Sequence, residues 1–348
     1  MVNSRVLRYG RPPTIIDVAN EAKVGVMSVS RVINNHPSVK ASTRAKVMKA
    51  IARTGYTPND AARMLRGRAG KTIGLMVPDL SDFYSSCFHA VQEVAIRNDY
   101  QTLVVATGRS VAVEDTQIES IQKHRVAGLL IVTSGSDGRQ LKMLQDSGVP
   151  VVALDRPVSG LQADAVLVEN REGAEQGVRH LIKHGHKNIA CVGFDSGSYT
   201  VSERIEGYKA AMRAAGLRTE LCCSVGTLEA MHALVLSWTT AKHRPTAAFT
   251  LKRITSVYLI QALHMYKLRV PEDIALVGFD DFELAEVLGT PLTVVRQSPT
   301  EIARAAAELL FKKIASVREG PSREMKASKM LFPVELVLRR SCGCPAKD

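Results

Sequence analysis

The spacing of apolar residues near the start of the chain predicts three short helices. The first has Thr14 at its N-cap and Asp17 in its first turn, where a carboxylate suits the helix dipole. The turn Lys23-Val24-Gly25 follows it. The apolar positions of this helix recur at the helical period. They are Ile15, Ile16, Val18, Ala19 and Ala22.

The second helix is predicted from residue 26 to about 34, and the third from about 41 to 54, where Gly55 ends it. Two short helices joined by a three-residue turn and braced by a third form a helix-turn-helix. The second helix of that motif enters the major groove with its N-terminal residues against base edges. The residues predicted to be buried are Val29, Val32 and Ile33 in the second helix, and Val47, Met48 and Ile51 in the third.

From residue 72 the pattern changes to short apolar runs that alternate with helical stretches. Near-continuous apolar strands separated by helices predict parallel, doubly wound sheets, and two such sets predict two lobes. The predicted fold class is therefore an all-α helix-turn-helix head followed by an α/β body of two doubly wound parallel-sheet lobes. The predicted strands are 73–77, 102–106, 129–132, 151–154, 189–194, 247–250, 274–279 and about 334–338.

The charge of the chain is concentrated in its first fifth. The 348 residues carry a formal net charge of +12, and residues 1–71 account for +11 of it, with 14 Lys and Arg against three acids. Residues 72–348 are nearly neutral. Such a basic head indicates a polyanion partner, nucleic acid first and a membrane surface second. A solvated basic tail is the alternative, and the apolar periodicity of the head argues against it.

Several classes of protein find no support in the sequence. No apolar run reaches the roughly 18 residues of a membrane span, and no apolar segment follows the basic N-terminus as in a secretory signal. The six cysteines form no paired zinc motif, so we expect a reduced cytosol, no metal, and an incidental role for Cys342 and Cys344. His184 and His186 mark a helix end. Phosphate-binding and nucleophile motifs are lacking, so we expect no catalytic residue and no cofactor.

Residues 14–79 closely resemble the N-terminus of the lactose/galactose repressor (LacI/GalR) family of bacterial transcription factors. The elements D-V-A, V-S-R-V-x-N, T-R-x-K-V, G-Y-x-P-N and T-I-G-L stand in register, and the resemblance continues to the C-terminus. The resemblance implies a cytoplasmic, ligand-responsive repressor that binds a pseudo-palindromic operator as a homodimer. It also implies a body of periplasmic-binding-protein type with a sugar, sugar-acid or phosphosugar effector in the cleft between the lobes.

Two other classes of function are alternatives to a repressor. A solute-binding protein would share the body but lack the basic head, and an α/β enzyme would need a catalytic constellation in the cleft. The predicted domains are a basic leader at 1–13, a DNA-binding domain at 14–57, a hinge helix and linker at 58–71, and an effector-binding and dimerisation domain at 72–348. Its lobes are predicted as 72–163 with 296–325, and 164–295 with 326–340.

The resemblance assigns DNA contacts residue by residue. The base readers are Val26, Met27 and Arg31, of which Arg31 can donate two hydrogen bonds to guanine. A set of polar side chains matches positions that bind phosphates in the family, which fixes register without reading sequence. This set is Ser28, Ser30, Asn34, Lys40, Thr43, Tyr56 and Asn59. Lys23 replaces the turn glycine common in the family, and it is a candidate for a further phosphate contact.

A hinge helix is predicted after Pro58, with Asn59 as its N-cap and Gly67 just past its end. It is too short to be stable alone in water, and the resemblance implies that it orders when two copies meet in the minor groove. Leu65 stands where the family places an apolar wedge between base steps. Packing of Leu65 on its own domain is the alternative. Residues 9–13 loosely resemble minor-groove-binding sequences, although a disordered leader is the favoured interpretation.

Candidate effector residues stand at predicted strand ends, as ligands of such sheets bind beyond the carboxyl ends of the strands. They are Phe83, Asp155, Arg204, Lys252 and Asp280. Arg204 lies in an R-x-x-G-[FYW] motif whose Arg holds ligand hydroxyls or carboxylates in the family. For each, a satisfied structural polar or aromatic group is the alternative.

Lys252-Arg253 is the clearest departure from the family, which usually has Asn-Asp there. A lysine favours an anion, so with Arg204 it predicts an acidic effector such as a sugar acid or a phosphorylated sugar. The alternative is that Lys252 pairs with Asp280 or Asp155 and that the site for a neutral ligand is lost. The sequence leaves these two possibilities open.

Overall fold

A computed structural model describes residues 11–33, 36–56, 70–194, 197–319 and 327–344. The chain divides into two compact units between Gly70 and Lys71. Asn34 and almost all of the predicted hinge, including Asn59 and Leu65, lie outside the described residues. None of the helices described has both the length and the apolar character needed to cross a bilayer.

The first unit, here called the head, contains the three predicted helices: α1 (Ile15–Ala22), α2 (Val26–Ile33) and α3 (Ala41–Thr54). Its core is formed by Val18, Val29, Val32, Val47 and Ala50 with their neighbours. The predicted burial of Met48 is wrong, since Met48 is 55% exposed. The inner face of α3 carries Val47, Ala50 and Thr54, and Met48 lies about 100° further round the helix.

The predicted cap of α1 is tied to the end of the leader. Thr14 donates from its backbone N–H and its hydroxyl to Asp17 Oδ2, at 2.7 and 2.8 Å. Arg11 donates to both oxygens of Asp17, at 2.8 and 3.0 Å. These contacts lower the pKa of Asp17 to about 2, the Arg11 hydrogen bond contributing most. Arg11 is therefore held against α1, and residues 1–10 of the predicted leader lie outside the described residues.

The first lobe of the body is built on a six-stranded parallel sheet in the order β11-β5-β4-β3-β1-β2. Apolar side chains fill both of its faces. The strands are β1 (Thr72–Val77), β2 (Gln101–Ala106), β3 (Leu129–Ile131), β4 (Val151–Leu154), β5 (Asp164–Val168) and β11 (Lys329–Phe332). The helices of this lobe are α4 (Asp82–Arg97), α5 (Val111–Lys123), α6 (Arg139–Asp146) and α11 (Pro299–Glu319).

The second lobe repeats this plan, with strand order β12-β10-β9-β8-β6-β7. Its pairings are parallel except that β12 runs antiparallel to β10. The strands are β6 (Ile189–Val192), β7 (Glu220–Cys222), β8 (Ala247–Thr250), β9 (Ala275–Phe279), β10 (Thr293–Arg296) and β12 (Glu335–Val337). The helices are α7 (Asn170–Lys183), α8 (Tyr199–Ala214), α9 (Leu228–Thr240) and α10 (Arg253–Met265).

Strand pairing corrects the predicted lobe boundaries. The sequence prediction assigns residues 164–168 and 326–340 to the second lobe. In the structure β5 pairs with β4, and β11 pairs with β5, so both belong to the first sheet. The chain therefore crosses between lobes after β5, after β10 and again after β11. Neither strand is among those that the sequence predicts, and β11 is largely exposed, so long-range pairing alone shows which sheet each joins.

Candidate DNA-binding surface and effector cleft

The second helix of the head presents an exposed surface at its start. Val26 and Met27 are 43% and 68% exposed, although both are large and apolar. Arg31 is exposed one turn further along α2, whereas Val29 and Val32 are buried in the head. The three residues predicted to read bases are thus accessible, and the side chains between them anchor the helix.

The predicted phosphate contacts lie at several places on the head. Lys40 is exposed at the N-cap of α3, while Ser28, Ser30 and Thr43 are half-buried. Tyr56 packs against the core of the head, a role that the sequence analysis did not assign to it. The part of its ring that remains exposed is what a phosphate contact would have to use.

Lys23 ends α1 in the left-handed region, with φ 54° and ψ 45°. That conformation favours glycine, because in other residues Cβ crowds the following carbonyl oxygen. Gly25 lies outside the left-handed region, and a Cβ added to it would meet nothing within 4 Å. The departure from the family therefore leaves the turn in its left-handed form and places a lysine in it.

We expect Lys23→Gly to stabilise the head by up to about 1 kcal/mol, as the left-handed strain exceeds the entropy that glycine adds to the unfolded chain. Hydrogen exchange of the α1 and α2 amides in the full chain measures this. Gly25→Ser is the control: it has room for a side chain and a favourable N-cap residue, so its head should not lose protection. Faster exchange in Lys23→Gly than in the wild type would contradict the strain.

In the body, Arg204 is a buried residue of α8 that lies near the ends of β8 and β9 in the second lobe. Its Nε donates to Asn170 Oδ1 at 2.8 Å, and its NH1 donates to the carbonyl of Leu251 at 2.7 Å. Both terminal nitrogens reach Asp280, at 3.2 and 3.4 Å. The guanidinium carbon lies 3.6 Å from the centre of the Phe279 ring. Arg204 is therefore committed to protein partners, and it positions Asp280 and Asn170 at the cleft.

The rest of the R-x-x-G-[FYW] motif supports this arrangement. A Cβ on Gly207 would lie 2.1 Å from the carbonyl oxygen of Arg171, so only glycine allows α8 to approach α7 this closely. Tyr208 donates its hydroxyl proton to the carbonyl of Ile189 at 2.7 Å and accepts from the N–H of Glu220 at 2.7 Å. The motif thus packs α8 against its neighbours and directs Arg204 towards the strand ends.

Asp155 and Asp280, the two predicted carboxylates, occupy equivalent positions in the two lobes. Each follows a buried strand and has a positive φ, of 67° and 75°. Asp280 accepts from Gln297 Nε2 at 2.6 Å in addition to Arg204. Asp155 lies 3.4 Å from the hydroxyl of Tyr84 and 3.5 Å from Arg156 NH2. Both predicted carboxylates are therefore partnered by an arginine of the same lobe.

Lys252 differs from the arginines of this region in its ion pairing. Of the residues that the structure describes, none forms an ion pair with its amine, and Asp280 and Asp155 are engaged by Arg204 and Arg156 instead. Burial, followed by repulsion from Arg109, Arg204 and Arg156, lowers the pKa of Lys252 from 10.5 to about 8. The alternative in which Lys252 pairs with either carboxylate is therefore not what the structure contains.

Arg253 and Phe83 have roles that differ from those the sequence suggests. Arg253 NH1 lies 2.6 Å from Asp82 Oδ2 and so bridges the two lobes. Phe83 belongs to the first turn of α4 rather than to a loop, and it packs on the core of the first lobe beside Tyr84. The two rings meet edge to face, with centroids 5.1 Å apart. Phe83 is half-buried by these contacts.

Several polar residues of this region were missed by the sequence analysis. Asn170 and Gln297 follow β5 and β10, two strands that were not predicted, so no strand end drew attention to them. Arg156 is buried directly after Asp155, and its NH1 donates to the carbonyl of Thr133 at 3.2 Å. Arg109 has φ 63° and pairs with Asp79. The adjacency of Arg156 to Asp155 was the one local signal available.

Comparison with known proteins identifies both parts of the chain. Residues 14–59 match the bacterial regulatory proteins of the lacI family. Residues 73–251 match a periplasmic binding protein domain, and residues 178–342 match a periplasmic binding protein-like domain. These matches cover the helix-turn-helix and both lobes.

Relatives align along nearly the whole chain. The HTH-type transcriptional repressor PurR of Vibrio vulnificus (strain CMCP6) is 32% identical over 338 residues, covering 94% of this chain and 97% of that protein. The ribose operon repressor of Haemophilus influenzae is 30% identical over 311 residues, covering 88% and 93%. A crystal structure of the lac repressor dimer bound to operator and the anti-inducer ONPF has a TM-score of 0.83 at 25% identity, covering 95% and 99%. The chain belongs to the lacI family of bacterial regulatory proteins, as a DNA-binding transcriptional repressor with a periplasmic-binding-protein-like ligand-binding body.

Proposed function

We propose that this repressor is a cytoplasmic homodimer that binds a pseudo-palindromic operator and is controlled by an acidic small molecule in the cleft between its lobes. The observation that carries the choice of effector is the half-buried amine of Lys252, which forms no ion pair with any residue that the structure describes. Burial, followed by repulsion from neighbouring arginines, lowers its pKa to about 8. A sugar acid or a phosphorylated sugar is the matching ligand class. The protein is a regulator rather than an enzyme.

The charge balance of the cleft supports an anion. Arg109, Arg156 and Arg204 each have a carboxylate partner in Asp79, Asp155 and Asp280 respectively. The amine of Lys252 adds one positive charge that these carboxylates do not neutralise. A single carboxylate or phosphate of a ligand would neutralise it in a partly desolvated site, where such a pairing is stronger than in water. Hydroxyl groups of the ligand would then face Asp155 and Asp280.

Control of DNA binding would follow from unequal affinity of the effector for two lobe arrangements. The Arg253–Asp82 ion pair joins the two lobes at the N-terminal ends of α10 and α4. It is therefore a contact that lobe movement would make or break. In this proposal the hinge passes the change to the head, with Leu65 as its minor-groove wedge and Asn34 and Asn59 on phosphates. Those three residues lie in the part of the chain that is not described, and their roles rest on the resemblance.

Dimerisation is supported by the lac repressor relative, which is a dimer on its operator. A two-fold protein reads two half-sites related by the same symmetry. The second lobe also exposes apolar side chains, among them Leu284 and Val287 at 62% and 74% exposure, which supply surface for association. Analytical ultracentrifugation of the full chain measures the oligomeric state directly.

Calorimetric titration with matched pairs of ligands tests the effector. Each pair consists of a neutral sugar and its acid or phosphate, so that shape is shared and charge differs. We expect the acidic member of at least one pair to bind at least about tenfold more tightly, since a pairing worth about 1.4 kcal/mol suffices for that ratio. Tight binding of neutral sugars without binding of any acid would reject the acidic effector.

Arg31→Ala should weaken binding to the cognate operator about tenfold to a hundredfold, because a bidentate contact to guanine contributes about 1–3 kcal/mol of discrimination. Arg53→Ala removes the same charge from an exposed position on α3 and is the matched control. Mobility-shift titrations with DNA upstream of the protein's own gene, and with unrelated DNA, measure both. Equal losses for the two variants would show that Arg31 contributes charge rather than base reading.

The same mobility-shift assay separates the other classes of function. A solute-binding protein or an α/β enzyme with a secondary head would give no sequence-specific shift with or without ligand. The helix-turn-helix head and the repressors among the relatives favour a repressor. No specific observation favours a solute-binding protein or an enzyme.

A further inference from the structure

Four potential metal ligands meet in the second lobe, two histidines and two cysteines that are about 160 residues apart in the chain. Cys344 Sγ lies 3.5 Å from His180 Nε2 and 3.3 Å from His184 Nε2. The ligand atoms of His180, Cys342 and Cys344 all lie within 4.8 Å of one another. The two histidines are four residues apart at the C-terminal end of α7, with ring centroids 4.6 Å apart. The cysteines come from the segment after β12.

These distances are those of a tetrahedral zinc site. With Zn–S near 2.3 Å and Zn–N near 2.0 Å, sulfur and nitrogen ligands of one tetrahedral ion are separated by about 3.5 Å. The two sulfur–nitrogen distances measured at Cys344 agree with that edge. Two thiolates with two imidazoles are also a donor set that zinc takes in closed structural sites. Neither these distances nor this donor set can be read from the sequence, because the histidines and the cysteines are about 160 residues apart.

We propose that His180, His184, Cys342 and Cys344 bind one zinc ion. The ligand atoms of His180, Cys342 and Cys344 lie close together, and His184 is the fourth ligand, in contact with Cys344 on the exposed side of the site. Cys342 is the buried anchor, at 1% exposure. This proposal departs from the expectation, drawn from the sequence, of no metal and an incidental cysteine pair.

The surroundings of Cys342 suit a bound thiolate. Thr293 donates its hydroxyl proton to Cys342 Sγ at 3.1 Å, a contact of the kind that orients metal ligands from outside the coordination shell. Cys342 itself lies 3.5 Å from the carbonyl of Arg339, and metal binding would replace that weak thiol donation. Ser341, the preceding residue, bonds to the carbonyl of Leu276 at 2.7 Å and fixes the backbone against β9.

Zinc at this position would fasten the C-terminal segment to α7. The first residue of the same helix, Asn170, accepts the hydrogen bond from Arg204 at the effector cleft. The proposed ion therefore holds one end of a helix whose other end carries a cleft residue. Its expected effect is structural: it stabilises the second lobe, and it leaves the DNA-binding surface of the head unchanged.

Cobalt replacement provides a direct readout of the ligand set. We expect the reduced full chain to bind one Co²⁺ and to give the strong visible bands of tetrahedral cobalt with an intense thiolate charge-transfer band in the near ultraviolet, which Zn²⁺ then abolishes. Zinc at a hundredfold excess over its Kd should raise Tm by about 5 °C.

Variants assign the ligands. Cys344→Ser and His184→Asn change exposed or half-buried side chains, so they should fold, and each should weaken cobalt binding at least tenfold. His186→Asn is the matched control, because His186 faces Thr246 at 3.0 Å rather than the cysteines. The proposal is overturned if the wild type gives no tetrahedral cobalt spectrum, or if Cys344→Ser binds cobalt as tightly and with the same spectrum as His186→Asn.

Discussion

Lys252→Gln should abolish tight binding of the acidic effector and at the same time stabilise the ligand-free protein. The amine is half-buried among Arg109, Arg156 and Arg204, which together with burial depress its pKa from 10.5 to about 8. Removing a charge held in that environment should raise the free energy of unfolding at pH 7 by about 1–3 kcal/mol. A binding residue whose removal stabilises the apo protein is the signature of a site strained for its ligand.

The pH dependence follows from the sign of the shift. The folded-state pKa of Lys252 lies below the unfolded value, so between about pH 8 and 10.5 the unfolded chain holds more protons than the folded one. Stability should therefore gain from this group as pH rises through that window. Affinity for an anion should instead fall above about pH 8, because the amine loses its charge there. In Lys252→Gln both contributions should be missing.

Chemical denaturation and calorimetry at several pH values measure these effects. Lys242→Gln removes the same charge from an exposed position and is the control, with little expected change in either quantity. If Lys252→Gln destabilises the ligand-free protein, the amine has a stabilising partner and the acidic-effector proposal loses its main support.

Arg204→Met should lower the free energy of unfolding of the body by about 3–5 kcal/mol, the usual cost of removing one partner from a buried ion pair. The change leaves Asp280 and Asn170 without their hydrogen-bond donor and uncovers the Phe279 ring. The corresponding fall in Tm is about 10 °C. Thermal unfolding without ligand measures it.

Two further variants show whether the ion pair is the cause. Arg244→Met breaks the more exposed pair with Asp273 and should cost less than about 1 kcal/mol. The double variant Arg204→Met/Asp280→Asn removes the uncompensated charge while asparagine tolerates the positive φ at position 280, so it should recover part of the loss. A double variant less stable than Arg204→Met would show that Asp280 stabilises the body independently of the arginine.

Local sequence patterns were sufficient to predict the helices of the head. The helices of the head were predicted within about a residue, since capping, glycine placement and apolar period all act within one or two turns. The structure brings Arg204, Lys252 and Asp280 near one another, and their contact with an effector stays a prediction. The sequence does not predict four of the strands, β5, β7, β10 and β11, and Asn170 and Gln297 follow two of them. All four strands are short, and their existence depends on partners distant in the chain.

The sequence by itself determined the family, the basic head with its three helices, and the set of charges available at the strand ends. The tertiary structure decided how those charges are paired. Within the described residues it left Lys252 without a carboxylate partner, paired Arg253 with Asp82 of the other lobe, and paired Arg204 with Asp280. It also brought His180 and His184 onto Cys342 and Cys344. The sequence specifies which charged and metal-binding residues are present. Which of them contact one another depends on distances that the long-range order of the strands sets.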